Sequence, residues 1–284
     1  MIKRRFLPAL LIPGLAHAQA RPLGVASFSI LGDLLRGVAE PALDVQAVAG
    51  PGVDPHGFQP RPSQAQVLRG ARLAVRNGAG FDGWFDRLLR AGGFAGTLVT
   101  ATQGLSLRRA GSGVDPHAWQ DARLAMGYVR NIEAGLRAAG LAAEAAPLLA
   151  RLEALDGWIR AQVETVPQPR RIVVTSHDAF GYFGAAYGVR FLAPQGIAAG
   201  AEPSAQGVAA LIRQIRAERV TAVFVEGLGN PATLRRLADE AGVRVQGRLY
   251  ADALSEPDGP AGTYEAMLRH NTTLMVNAMR GDAG

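Results

Sequence analysis

Residues 142–166 carry Leu148, Leu152, Leu155, Ile159 and Val163 at spacings of four, three, four and four. That is one apolar face with a period near 3.6, and it predicts a long amphipathic helix ended by Pro167 and Pro169. This helix divides the chain, because on either side of it short β-rich runs alternate with helical ones. In the first half, strands are predicted over 23–28, 45–49, 73–75 and 97–100, with helices over 30–38, 63–68 (Ser63 as N-cap after Pro62) and 122–138. In the second half, strands are predicted over 171–175, 220–225 and 243–250, with helices over 208–216, 231–241 and 263–279. Strands alternating with helices specify an α/β fold with mainly parallel sheets and flanking helices. The expected organisation is an N-terminal α/β lobe over 21–140, a linking helix over 141–167 and a C-terminal α/β lobe over 168–284.

Residues 1–20 are set apart as a signal peptide. Lys3, Arg4 and Arg5 precede an apolar run from Phe6 to Leu15, and Ala16-His17-Ala18 and Ala18-Gln19-Ala20 both fit a small-x-small cleavage site. About ten apolar residues fall short of the ~20 that span a bilayer, so the expectation is a periplasmic protein starting at Gln19 or Arg21. The chain has no cysteine. An exported chain without disulfides stands on its core alone, and neither a thiolate metal site nor a lipidated cysteine is open to it. With 48% hydrophobic and 19% charged residues, such a core is within reach.

A pI near 10.4 would fit a nucleic-acid binder. The charge distribution argues otherwise. Three of the 30 basic residues lie in the leader, leaving 27 against 24 acidic ones, and the remaining arginines are scattered instead of forming a stripe. No nucleic-acid partner is expected, and the protein is read as a monomer.

Five histidines carry the chemistry or are excluded from it. His17 leaves with the leader. His56 lies in G-P-G-V-D-P-H-G-F, His117 in G-V-D-P-H-A-W, and His177 in T-S-H-D-A-F just beyond a strand. Asp252 follows the strand ending at Tyr250. In open α/β sheets, ligands bind outside the carboxyl ends of the strands, so three imidazoles and a carboxylate placed there describe a metal site between two halves. Imidazole with carboxylate suits zinc, and also manganese or iron. Proline in each D-P-H limits the loop, so its histidine is presented with little entropy left to lose. Each residue also has a plainer reading: a loop histidine can be a surface group, Asp252 a helix N-cap, and Asp54 and Asp115 loop-orienting groups. Glu226 ends V-F-V-E-G and can support a ligand or serve structure alone. His270, on the last helix, is read as structural or exposed.

The segments V-A-S-F-S-I-L-G-D-L, D-P-H-G-F-Q-P-R-P-S, N-G-A-G-F-D-G-W, D-P-H-A-W, T-S-H-D-A-F-G-Y-F, F-V-E-G-L-G-N-P and L-Y-A-D-A-L-S occur in that order over about residues 21–280. Together they resemble the zinc/manganese family (cluster A-I) of substrate-binding proteins of ABC importers. The resemblance implies two α/β lobes bridged by one long rigid helix, with the ion held between the lobes by His56, His117, His177 and Asp252. It implies Zn2+ or Mn2+ as transported ligand and a membrane ABC permease as partner. Zinc-specific members often carry a histidine- and acid-rich loop before the second histidine. Here that stretch, 103–113, is short, holds Arg108 and Arg109, and has no histidine. Members with glutamate at the third position lean to manganese, whereas His177 leans to zinc.

Two other functions compete. A secreted zinc hydrolase needs an open coordination position and a placed base, for which Glu226 is the one nominee, while four protein ligands close the site. A metal-dependent adhesin on the same fold needs an anchor, and the missing cysteine removes a lipid one.

Overall fold

The computed structural model describes residues 21–281 apart from 40, 112, 195, 197–203 and 227–230. The expected leader with His17, and the G-L-G-N of the F-V-E-G-L-G-N-P segment, lie outside the described residues.

Two four-stranded parallel sheets form the frame. The first contains β1 (Leu23–Phe28), β2 (Asp44–Ala49), β3 (Ala71–Arg76) and β4 (Thr97–Thr100), in the order β2-β1-β3-β4. Helices α1 (Ser29–Ala39), α2 (Pro62–Arg69) and α3 (Gly83–Gly92) connect its strands. A hairpin follows, β5 (Arg109–Ala110) with β6 (Gly113–Val114), and then the long helices α4 (Ala122–Ala138) and α5 (Ala146–Glu164). The second sheet contains β7 (Ile172–Val174), β8 (Arg190–Leu192), β9 (Ala222–Glu226) and β10 (Val245–Leu249), with helices α6 (Gly181–Tyr187), α7 (Ala205–Glu218), α8 (Pro231–Ala241) and α9 (Tyr264–Arg280). Its order, β10-β9-β7-β8, read from the other edge, is second-first-third-fourth in chain order. The first sheet has that same order, so the two halves share one topology.

Local sequence explains most boundaries. Asp121 caps α4 by accepting the Arg123 N–H (2.8 Å), and Thr263 caps α9 by accepting that of Ala266 (3.1 Å). Buried Leu148, Leu152, Leu155, Ile159 and Val163 form the inner face of α5. Its start differs from the expectation of 142. Pro147 is tolerated in a first turn and not deeper, so the helix begins at Ala146 and 141–145 form a non-helical connection. For the same reason Ser63 is not the cap of α2. Pro62 takes the first helical position, Arg61 becomes the N-cap residue, and the Gln64 side chain accepts its N–H (2.7 Å). Helices α3 and α6 and strand β8 were not anticipated. α3 buries Trp84, Phe85, Leu88 and Leu89, two apolar pairs four residues apart. By contrast, α6 and β8 have only seven and three residues to signal with.

One apolar cluster runs through the first sheet, α4, α5, α6 and α9, while a second fills the outer part of the second half around Val174, Ile215, Val223 and Leu237. The halves meet in buried polar contacts as well as through α5. Ser29 Oγ accepts the Leu254 N–H (3.0 Å), Asp33 Oδ2 accepts that of Tyr264 (2.8 Å), and the Tyr264 hydroxyl donates to the Trp119 carbonyl (2.6 Å).

Candidate metal centre

His56 stands in the loop after β2. Asp54 Oδ1 accepts the His56 backbone N–H (2.8 Å), an Asx turn that Pro55 prepares. The Pro55 carbonyl accepts the indole N–H of Trp84 from α3 (2.8 Å), which pins the turn to the first half.

The second Asp-Pro-His repeats the device. Asp115 Oδ1 accepts the His117 backbone N–H (3.0 Å) and also lies 2.8 Å from His117 Nδ1. Asn77, just past β3, donates to the Pro116 carbonyl (3.0 Å) and accepts from the Tyr128 hydroxyl (2.7 Å). Asn77 itself opens a turn in which Gly78, Ala79 and Gly80 all have positive φ (+82°, +53° and +79°). Asp82 closes it, accepting the N–H groups of Asn77 (2.6 Å) and Gly78 (3.0 Å). A Cβ on Gly78 would press within 2.6 Å of Thr100, so glycine is required there by conformation and by space.

His177 and Glu226 come together by topology. They leave β7 and β9, neighbouring strands at the point where chain direction across the sheet reverses. Glu226 Oε1 accepts the backbone N–H groups of Ser176 (2.7 Å) and His177 (3.1 Å), and its Oε2 pairs with His177 Nδ1. Asp252 follows β10. The Ala251 carbonyl beside it accepts from both Trp119 Nε1 and Gln120 Nε2 (2.8 Å each), tying this loop to the turn behind His117.

With Nδ1 of His117 and His177 facing carboxylates, their Nε2 atoms face one centre. His117 Nε2 is 3.4 Å from His56 Nε2 and 3.4 Å from Asp252 Oδ1. Asp252 Oδ2 is 3.4 Å from His56 Nε2 and 3.1 Å from His177 Nε2. One donor atom from each of the four lies within 4.8 Å of the others, and among the described residues no other cluster of this kind occurs. Bonds of about 2.0–2.2 Å to imidazole and carboxylate fit donors so spaced.

Polar satisfaction leads to the same conclusion. His177 Nε2 and Asp252 Oδ1 are buried and form no hydrogen bond, only ion-pair contacts at 3.1 Å (to Asp252 Oδ2) and 3.4 Å (to His117 Nε2), and a cation among the four donors would satisfy both. Burial disfavours charge on His177, but Glu226 and Asp252 outweigh it and hold its pKa up at about 11. Burial likewise opposes the Asp252 carboxylate, yet His177, with His56 and His117, keeps it well below the usual carboxylate range. Phe81 packs edge-on to His56 (centroids 4.6 Å apart) and Trp119 edge-on to His117 (5.2 Å), so aromatic walls limit water at the donors. His117, His177 and Asp252 are buried, and the His56 side chain, 14% exposed, is the donor nearest solvent.

The four residues singled out in the sequence are thus the four that meet. His270 does not join them; its Nε2 lies 3.1 Å from the carbonyl of Arg248 in β10. Asp252 caps no helix. Arg109 lies in the β5–β6 hairpin and Arg108 just before it, where its guanidinium is 3.4 Å from Asp115 Oδ2. Sequence reasoning passed over Asn77, Asp82 and Trp84, which hold the two Asp-Pro-His turns. Their signal was the N-G-A-G-F-D-G-W segment, whose run of glycines demands a special turn.

Comparison with known proteins fits this geometry. The family described as zinc-uptake complex component A, periplasmic, matches residues 25–278. The manganese-binding lipoprotein MntA of Halalkalibacterium halodurans is 31% identical over 262 residues, covering 90% of this chain and 87% of the relative. The zinc-binding protein TroA of Treponema pallidum is 29% identical over 281 residues, covering 93% and 91%. Its solved structure superposes with a TM-score of 0.82 at 26% identity, covering 92% of this chain and 99% of that one. The iron-binding protein YfeA of Yersinia pestis is 28% identical over 254 residues, covering 86% and 82%. The chain therefore belongs to the periplasmic zinc-uptake component A family, whose members are metal-binding substrate-binding components of ABC importers and not enzymes.

Proposed function

We propose that this protein captures one divalent transition ion in the periplasm, zinc in the first place and manganese next, through His56, His117, His177 and Asp252, and hands it to a membrane ABC permease. The observation that carries the reading is the convergence of three imidazole Nε2 atoms and one carboxylate on a single buried point. Two donors come from each half of the chain. Two of the imidazoles already have Nδ1 engaged by Asp115 and Glu226, so the nitrogen left for an ion is Nε2.

Several finer points belong to the same reading. Residues 1–20 are removed on export, no helix among the described residues is long and apolar enough to cross a membrane, and the chain works as a monomer without nucleic acid. The lobes are 21–140 and 168–284, with 141–167 joining them. Relatives whose names carry zinc, manganese or iron frame the choice of ion, and three nitrogen donors with one carboxylate favour the later metal.

Calorimetric titration of the metal-free protein with Zn2+ at pH 7 tests the assignment. One ion per chain is expected. His56→Ala, His117→Ala and His177→Ala should each weaken binding by at least a hundredfold, with His270→Ala near wild type. Equal damage from His270→Ala and His177→Ala would show that the donors have been chosen wrongly. Metal analysis of protein taken from its own periplasm then names the cargo.

A further inference from the structure

The antiparallel β5–β6 pair is two residues long on each side, and its next rung would be Arg108 opposite Asp115. Half of that rung exists: Asp115 donates its N–H to the Arg108 carbonyl (2.9 Å). In place of the reciprocal bond stands a side chain from the other half of the molecule. The Tyr182 hydroxyl of α6 accepts the Arg108 backbone N–H (2.9 Å) and donates to the Asp115 carbonyl (2.8 Å). Tyr182 is buried, and the Arg108 guanidinium covers its ring at 5.4 Å while reaching Asp115 Oδ2 at 3.4 Å.

Two ligand loops are coupled at this point. Asp115 holds both the backbone N–H and Nδ1 of His117. Tyr182 stands five residues after His177, in the first turns of the helix that His177 leads into. One oxygen atom therefore joins the Asp-Pro-His turn of the first half to the His177 segment of the second.

We propose that Tyr182 is a positioning residue whose hydroxyl sets the spacing between His117 and His177, and so governs how long the ion is retained. The inference rests on the ligand assignment above. Capture requires the donors to meet once; release requires them to separate. A tie between the two loops therefore acts mainly on the dissociation rate. Coupling of this kind is reciprocal, so an ion that is held more tightly because of the tie must strengthen the tie by the same factor.

The test is stopped-flow release of Zn2+ to excess EDTA from wild type, Tyr182→Phe and Tyr187→Phe. Tyr187, farther along α6, is a buried tyrosine whose hydroxyl accepts the N–H of Ala122 at the start of α4 (3.3 Å) in place of a group on Asp115, and it controls for general loss of stability. Tyr182→Phe should release zinc about tenfold faster, equivalent to about 1.4 kcal/mol, with its association rate changed less than twofold. Tyr187→Phe should release at the wild-type rate. Equal release from Tyr182→Phe and wild type, or equal acceleration in both variants, overturns the proposal. A second measurement needs no variant: exchange of the Arg108 amide hydrogen in the wild-type protein should slow about tenfold on zinc loading, and unchanged exchange overturns the proposal as well. A wild type that binds no zinc overturns the ligand assignment along with it, whereas tight zinc binding with unaltered release from Tyr182→Phe removes only the role of Tyr182.

Discussion

In both Asp-Pro-His turns the aspartate accepts the backbone N–H of the histidine two residues on, so the turn is closed before any ion arrives. His177 has no such turn. Glu226 replaces it, gripping two backbone N–H groups and the ring nitrogen from a neighbouring strand. Loss of a partner that orients a ligand histidine typically costs 10–100-fold in metal affinity. Glu226→Gln should fall in that range, because the amide can still accept the backbone N–H groups but no longer offers a charge to Nδ1; a zinc dissociation constant within twofold of wild type would assign Glu226 to structure alone. The protonation state of His177 gives a second expectation. Its pKa is raised to about 11, so the metal-free protein carries a proton there at neutral pH. An ion must displace that proton. Affinity should therefore rise with pH, about tenfold per unit from neutrality toward pH 11. Calorimetry in buffers of different ionisation enthalpy should count about one proton released per zinc at pH 8. At this scale the donors were legible, because each histidine follows a turn or strand signal in the sequence. Tyr182 was not, and although the N-G-A-G-F-D-G-W segment marks a special turn at Asn77 and Trp84, it does not reveal their partners, which lie at least 29 positions away.

At the scale of elements, periodicity located the long helices and proline chemistry decided their first turns. The helical period alone could not settle where α5 begins, since 142–145 are compatible with helix; Pro147 supplied the missing constraint only as a rule about first turns. One polar residue interrupts the buried face of α5. Asp156 is 4% exposed and accepts from Arg123 of α4 (2.9 Å) and from Arg160 (3.0 and 3.1 Å), while Arg160 also donates to the Ala186 carbonyl just before the end of α6 (2.8 Å). Three helices are thus joined by one carboxylate and the Arg160 guanidinium it holds. Burial opposes its charge, but the two guanidiniums hold its pKa below the usual value. A depressed carboxylate stabilises the fold above its unfolded pKa of ~3.9 and loses that contribution as pH falls through the folded value. Asp156→Asn should therefore lower the unfolding free energy by about 1–3 kcal/mol at pH 7, in line with hydrogen bonds to charged groups. In denaturant titrations that difference should begin to shrink as pH falls below the unfolded carboxylate value of ~3.9, and go on shrinking until the wild-type carboxyl is neutral. A difference that persists unchanged at pH 3 would show that packing, not charge, is what the substitution removes.

For the whole molecule, the two sheets share one topology, and His56, His177 and Asp252 stand beyond carboxyl ends of their strands, where an open α/β sheet takes its ligands. His56 follows β2 of the first sheet, His177 and Asp252 follow β7 and β10 of the second, and His117 follows β6 of the hairpin between them. The packing of α9 against α1 and α5, which joins the halves through Tyr264 to Asp33 and Trp119, was not legible in the sequence, because contacts over more than 140 residues depend on the assembled sheets. An ion bound between the halves is absent from the unfolded chain's preferred contacts, so it must stabilise the fold by RT ln(1 + [L]/Kd). At free zinc a thousandfold above Kd this amounts to about 4 kcal/mol, and for a chain of this size about 2–4 °C accompany each kcal/mol. A rise of about 10 °C in the thermal midpoint is expected with zinc. Manganese at the same free concentration should raise it less. Three imidazoles and a single carboxylate offer little hard oxygen, and the divalent series places manganese lowest and zinc well above it. Thermal scans at matched, buffered free zinc and free manganese, pH 7, make the comparison directly. A larger shift with manganese would mean that the spacing fixed by Asp115, Glu226 and the Ala251 clamp outweighs the chemistry of the donor atoms.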